Sequence, residues 1–413
     1  MNHSATHESG MIQSAETVGV SLAAPAATAP SRAALIYRAL CVIALLALGA
    51  AYFQPAWWVA LRAPNYPAHT FPDGVRINFH VDRVSNGCTL RKSSEVLEKE
   101  ALDCVHEMDT INHFVGMFPI ASGGPVEKLF SPFLFAFLGV LILGFALPGT
   151  ALRTGVMALG FAGIVAWMTL ALFTQNGVQY LGKGWVAGLV DSLGRSEDET
   201  KDENLHPVVK QLKESLARSG LGDASRPKVD ASASKAQLIE ILKTVHDQKA
   251  PVSLTDPTPK WTGRGLDVMA WHYAESLGRW FNEPAKNGRL VAIMTTVAHL
   301  LYGGLILAML AMLWLATRPR SVLFYALAFA PMMLPIGFVA EYAGWLWWYG
   351  HSLNEMGAFT LKPFMPTVFG DGKVAQFSTH SYPSTGFALM AVVGLAMAAA
   401  TLTRRSLPEA EKC

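Results

Sequence analysis

The chain has 413 residues, of which 51% are hydrophobic and 15% charged. Soluble domains carry about 25% charged residues, so much of this chain is suited to lipid rather than water. The formal net charge of +2 gives no bulk electrostatic case for nucleic acid.

Residues 1–31 are rich in Ala, Ser, Thr and Pro without apolar periodicity, and read as a disordered tail. A cleavable signal peptide does not fit, because the first apolar run starts late and is long. Six apolar stretches have the roughly 17–25 residues needed to cross a bilayer. They lie near Leu35–Trp58, Leu129–Leu147, Gly155–Phe173, Leu290–Ala316, Val322–Trp348 and Phe387–Leu402. Pro331 and Pro335 are expected to kink the fifth.

Basic residues in the short connections set the orientation. Arg32, Arg153, Arg318, Arg320, Arg404 and Arg405 all fall on one side if both termini are cytoplasmic. The expected fold is an all-α membrane protein, a six-helix transmembrane bundle with extracytoplasmic loops and a small helical insertion. Its first membrane half is 32–175, with the loop 59–128. The insertion is 176–288. The second half is 289–405, with the loop 349–386, and 406–413 is a cytoplasmic tail. Trp57, Trp58, Trp345, Trp347 and Trp348 then form aromatic belts at the outer interface.

Within the first loop, Val75–Val81 alternates apolar and polar residues like a strand, and Ser93–Asp109 reads as a helix. In the insertion, Ser196–Glu203 is strongly charged, and Val208–Ala217 and Lys235–His246 have helical periodicity. Gly220–Ala233 and Ala250–Pro259 read as linkers. Gly263–Phe281 reads as an amphipathic helix that lies on the membrane or packs on other loops. The segment 176–288 is the expected docking surface for another membrane or periplasmic protein.

The cysteines are Cys41, Cys88, Cys104 and Cys413, with no CxxC or CxxCH. Cys88 and Cys104 share one polar segment, where an extracytoplasmic location would allow a disulfide. Two separate thiols are the alternative.

Two segments carry the strongest chemical lead. His113 and Met117 are four residues apart and share a face if helical. Imidazole and thioether ligands together suit copper. His351, Met356, Met365 and His380 are the candidates to complete the set, and Asn112 would orient His113 from behind. The alternative is a polar interfacial histidine with Met117 as packing. Glu341 lies inside an apolar span, where a carboxylate usually faces the bundle interior or water. A count of residues from the helix ends gives His299 a similar depth. The pair would relay protons or bind a cation in a transporter, or would simply tie two helices together.

No Walker, Rossmann or hydrolase elbow pattern occurs. Ser381–Gly386 resembles the Pro-Ser-Gly-His element of membrane phosphatases. Thr385 interrupts it, no His follows Gly386, and no Lys-rich partner motif precedes Arg318.

Several strings resemble a family as a set: Trp58–Pro67, Ile111–Met117, Tyr349–Leu353 and Lys362–Pro366 followed by Gly370. Their order is similar to that of bacterial integral membrane proteins associated with copper handling and nitrous-oxide-reductase accessory functions. The resemblance covers roughly 35–180 and 321–402, and leaves out 195–288. Phe114 stands where the pattern expects Tyr, and Ser352-Leu353-Asn354 where it expects Asn-Leu-Asp, while His113, Met117 and His351 match. It implies a non-enzymatic accessory protein of the cytoplasmic membrane that holds or passes copper on the outer face. A solute transporter and a subunit of a membrane-embedded enzyme are the alternatives.

Overall fold

A computed structural model of the chain describes residues 31–89, 103–193, 233–248, 260–359, 361–374 and 376–408. The expectations for the N-terminal tail, the first part of Ser93–Asp109, the charged run Ser196–Glu203, the helix Val208–Ala217, the linker Ala250–Pro259, most of the linker Gly220–Ala233 and the end of the C-terminal tail lie outside those residues.

Five helices are long and apolar enough to cross a membrane, as in a helical membrane protein. They are α1 (Arg32–Phe53), α3 (Pro125–Ala146), α4 (Thr150–Phe173), α8 (Pro284–Ala316) and α11 (Thr385–Arg405). A bent pair, Val322–Met332, which includes α9 (Ala326–Met332), and α10 (Leu334–His351), makes a sixth candidate if it is counted as one span. The bend of 53° falls at Met333, between Pro331 and Pro335. Each proline removes a backbone donor and crowds the carbonyl four residues back. Outward faces are apolar and exposed, with Leu46, Leu159, Leu307 and Leu395 all more than two-thirds accessible. A water-soluble fold would not leave so many large aliphatic side chains bare.

The departure from the all-α expectation is a five-stranded antiparallel sheet at one end of the bundle. Its strands are β1 (Trp57–Arg62), β2 (Val75–Phe79), β3 (Val84–Asn86), β4 (Gly370–Val374) and β5 (Phe377–Pro383), in the order β3-β2-β1-β5-β4. The central pair joins segments far apart in sequence, with Trp57 opposite Pro383 and Arg62 opposite Ser378. The helices explain this. α1 runs directly into β1, β5 runs directly into α11, and α1 packs along α11. Ser384 N donates to Ala56 O and Gly386 N to Pro55 O, closing the corner. Trp57 and Trp58 therefore belong to this sheet rather than to an interfacial belt.

Helix α2 (Cys104–Phe114) packs on β2. Cys88 and Cys104 form a disulfide with a Cα separation of 6.0 Å, and Asn86 Oδ1 accepts from the backbone N–H of both. The described part of the insertion comprises α5 (Lys183–Ser192), α6 (Lys235–Gln248) and α7 (Gly265–Trp280). α7 packs on α3, α4 and α8, burying Leu266, Val268, Met269, Tyr273 and Leu277. At the end of the bundle opposite the sheet, Arg153 and Arg404 are both buried, with guanidinium carbons 4.8 and 4.5 Å from the Phe324 ring centre.

Candidate functional site

Two helices present matched stripes to one another. Glu127, Phe130, Ser131, Leu134, Phe135 and Leu138 recur every three or four residues on α3. Leu334, Gly337, Phe338, Glu341, Tyr342 and Trp345 do so on α10. Such spacing places each set on one helix face. The stripes do not interlock. They border an open-sided cavity of about 540 Å³, completed by Leu301 and Leu305 of α8, Met390 of α11, and Phe79 and His80 at the end of β2, with Leu134, Leu301 and Gly337 exposed along its mouth. That volume is within the range of small-molecule sites.

The cavity is amphipathic along its length. Its polar end lies under the sheet and holds Glu127, Lys128 and Glu341; the remainder is almost wholly aliphatic and aromatic. An α-helix rises about 1.5 Å per residue, so Leu138 lies about 16 Å below Glu127. That is about half of a 30 Å hydrocarbon core. Glu341 lines this open-sided cavity and is itself exposed.

A chain of contacts builds the polar end. Asp109 on α2 is buried, and its Oδ1 accepts from Ile120 N at 2.7 Å and Ala121 N at 3.4 Å. Burial pushes the Asp109 carboxyl up to about 7 against those two hydrogen bonds. Ala121 O in turn accepts from Lys128 Nζ at 2.7 Å. Gly124 then turns the chain into α3 with φ of +61°, a conformation costly for any residue with a Cβ. Pro125 follows at the first helical position, where its missing N–H costs nothing. Glu127 and Lys128 therefore sit in the first turn of α3. Trp345 Nε1 donates to Glu127 Oε1 at 3.2 Å, while Glu127 Oε2 is buried without a hydrogen-bond partner. A Cβ on Gly124 would lie 3.6 Å from Glu127 Oε2, 3.7 Å from Trp345 Nε1 and 3.8 Å from Glu341 Oε1. The two carboxylates thus flank one small open space.

Ser381 anchors the roof of the cavity. It is fully buried, and its Oγ donates to Val368 O at 2.8 Å. With that proton committed, Ser381 Oγ accepts from Trp57 Nε1 at 2.9 Å and from Tyr342 Oη at 3.3 Å. The serine of the phosphatase-like string is a structural junction between β1, β5 and α10. His80 faces the cavity with Nε2 3.1 Å from Ser85 Oγ; burial, with Arg83 nearby, lowers its pKa to about 4, so it is neutral.

The residues singled out from sequence are distributed as follows. The segments around His113 and His351 meet through the backbone: Asn354 N donates to Gly116 O at 2.7 Å and Phe359 N to Phe114 O at 3.0 Å. The close approach depends on Gly116, whose φ is +79° and where a Cβ would come within 2.5 Å of Asn354 O. The side chains lie in different surroundings. The His113 ring packs against Phe281 at 4.9 Å and Trp280 at 5.6 Å, and burial lowers its pKa. Met117 is buried beside a second cavity of about 90 Å³, which is also lined by Asn112. His351 is exposed, stacked on Trp347 at 4.6 Å with Nδ1 donating to Trp347 O. Met365 is exposed. His380 Nδ1 lies 2.6 Å from Asp371 Oδ1 on the sheet, and hydrogen bonds from His380 and Tyr382 hold the Asp371 carboxyl below its usual range. Among the described residues no three of His, Cys, Asp or Glu group as metal ligands do. His299 packs against Phe173 with Nδ1 on Thr295 O, while Glu341 keeps company with Glu127 and Lys128.

Sequence reasoning missed Glu127 and Lys128, because an apolar run counted from Leu129 leaves them outside the span. The available signal was Gly123-Gly124-Pro125, which marks a helix start ahead of both charges. Comparison of the chain with protein-family models, with characterised proteins and with solved structures returns no match.

Proposed function

We propose that this is a six-span protein of the cytoplasmic membrane that receives an amphiphile from the outer leaflet. Both termini are inside and the sheet is outside. Orientation draws on Arg153, Arg318, Arg320, Arg404 and Arg405, which cluster at the end away from the sheet. The disulfide at the sheet end suits an oxidising compartment.

The observation that carries the reading is the cavity itself. It is one leaflet deep, apolar along its length, and charged only at its interfacial end. The almost wholly apolar lining suits a hydrocarbon tail with a polar head at Glu127, Lys128 and Glu341. The test is photo-crosslinking of the full chain in lipid vesicles with an amphiphile bearing a diazirine near the end of its tail. Adducts should concentrate on Leu138, Leu334 and Met390. Labelling confined to outward-facing residues such as Leu159 and Leu307 would count against the reading.

A second reading, copper handling at the outer rim, draws on one observation. The His113 and His351 segments are joined by backbone hydrogen bonds, and Met356 and Met365 are exposed in the second segment and the loop after it. Copper on the purified protein that is lost in the His113→Ala/His351→Ala variant would favour it.

A further inference from the structure

At the polar end most donors are engaged and several acceptors are open. Trp345 Nε1 donates to Glu127, Tyr349 Oη to Pro119 O, and Lys128 Nζ gives one of its three N–H groups to Ala121 O. Left facing the space are Glu127 Oε2, without a partner, and the Glu341 carboxylate. His80 also lines the cavity, and its Nδ1 is buried without a partner, an acceptor or a donor according to which ring nitrogen bonds Ser85. Charge points the same way. Lys128 supplies one positive charge, and two carboxylates bracket the opening. An acceptor or an anion placed there would face carboxylate oxygens at van der Waals distance, leaving buried groups unsatisfied on both sides.

We infer that the head group taken by this cavity is a hydrogen-bond donor without negative charge, a hydroxyl or ammonium group held between Glu127 and Glu341. The inference rests on the amphiphile reading and narrows it to a ligand class. A donor atom near the vacant Cβ position of Gly124 lies just beyond hydrogen-bond distance of both carboxylates, so a small shift seats it on either. A phosphate or carboxylate head would find Lys128 as its one cationic partner and would face both carboxylates.

The test uses the full chain in phosphatidylcholine nanodiscs and native mass spectrometry. Three probes share one tail: tetradecane-1,2-diol, tetradecylamine and tetradecyl phosphate. The diol and the amine should give one-to-one adducts, with the phosphate weaker by about tenfold or more. Glu127→Gln/Glu341→Gln should weaken the amine by about tenfold. If that variant does not fold, Glu341→Gln alone is read, with an unfolding temperature near that of the parent as its control. Phosphate binding as tight as the amine would overturn the head-group assignment and leave the amphiphile reading standing. No one-to-one adduct with any probe would remove both. Amine binding unchanged in the variants would overturn the role of the carboxylates.

Discussion

Gly124→Ala separates what the polar end needs for folding from what it needs for binding. Gly124 has φ of +61°, a left-handed conformation that costs a residue with a Cβ about 1–2 kcal/mol. Sterics add little, because the new methyl would meet its neighbours at 3.6–3.8 Å, ordinary contact distances. The folded protein should therefore survive with a loss of about 1–2 kcal/mol. The methyl would, however, occupy the space between the carboxylates, and an amphiphile head should lose about 1.4 kcal/mol or more, about tenfold in affinity. Gly116→Ala is the contrasting case. There φ is +79° and the Cβ would approach Asn354 O to 2.5 Å, so strain and a backbone clash act together. It should destabilise clearly more than Gly124→Ala. Thermal unfolding of both variants, with tetradecylamine binding measured on Gly124→Ala, gives the two readouts. Wild-type binding by Gly124→Ala, or equal destabilisation by the two variants, would refute the reasoning.

Three further outcomes are expected. The Cys88–Cys104 bridge closes a loop with a sequence separation of 16, so Cys88→Ala/Cys104→Ala should cost about 3 kcal/mol on a chain-entropy basis. The loss should appear first as faster hydrogen exchange in β2 and α2. Asp109 has its carboxyl raised from 3.8 to about 7 by burial, so the folded state favours the protonated form. Stability from this group is full below about pH 4 and falls as pH rises through 7, by at most about 4 kcal/mol. Asp109→Asn, which keeps the acceptor for Ile120 N, should flatten that slope in chemical denaturation between pH 4 and 8. Metal analysis tests the rim: the copper reading requires a metal stoichiometry that falls in His113→Ala/His351→Ala, and unchanged stoichiometry would end it.

The helices were legible because long apolar runs have few other uses, and the bend was legible from Pro331 and Pro335. The sheet was not, apart from β2, whose alternation Val75, Ile77, Phe79 is plain. β1 begins with two tryptophans that read as a membrane belt, and β5 is polar and ends in proline. Their partnership is made by α1 packing along α11, which brings Trp57 opposite Pro383. No local pattern encodes such a distant pairing. Glu341 stood out as a carboxylate in an apolar run. Its companions did not, because depth along a helix says nothing about azimuth. A depth count pairs it with His299, whereas the helix faces turn it toward Glu127. His113 and His351 were placed on one rim by topology, yet each ring packs on aromatic neighbours, with Trp280 and Phe281 coming from a segment read as an insertion.

The most direct measurement is cryo-electron microscopy of the full chain in nanodiscs made with its native lipids. The amphiphile account expects a continuous rod of non-protein density along α3, from beside Leu138 up to the space between Glu127 and Glu341. A cavity closed by protein side chains, or open to ordered water along its whole length, would contradict it.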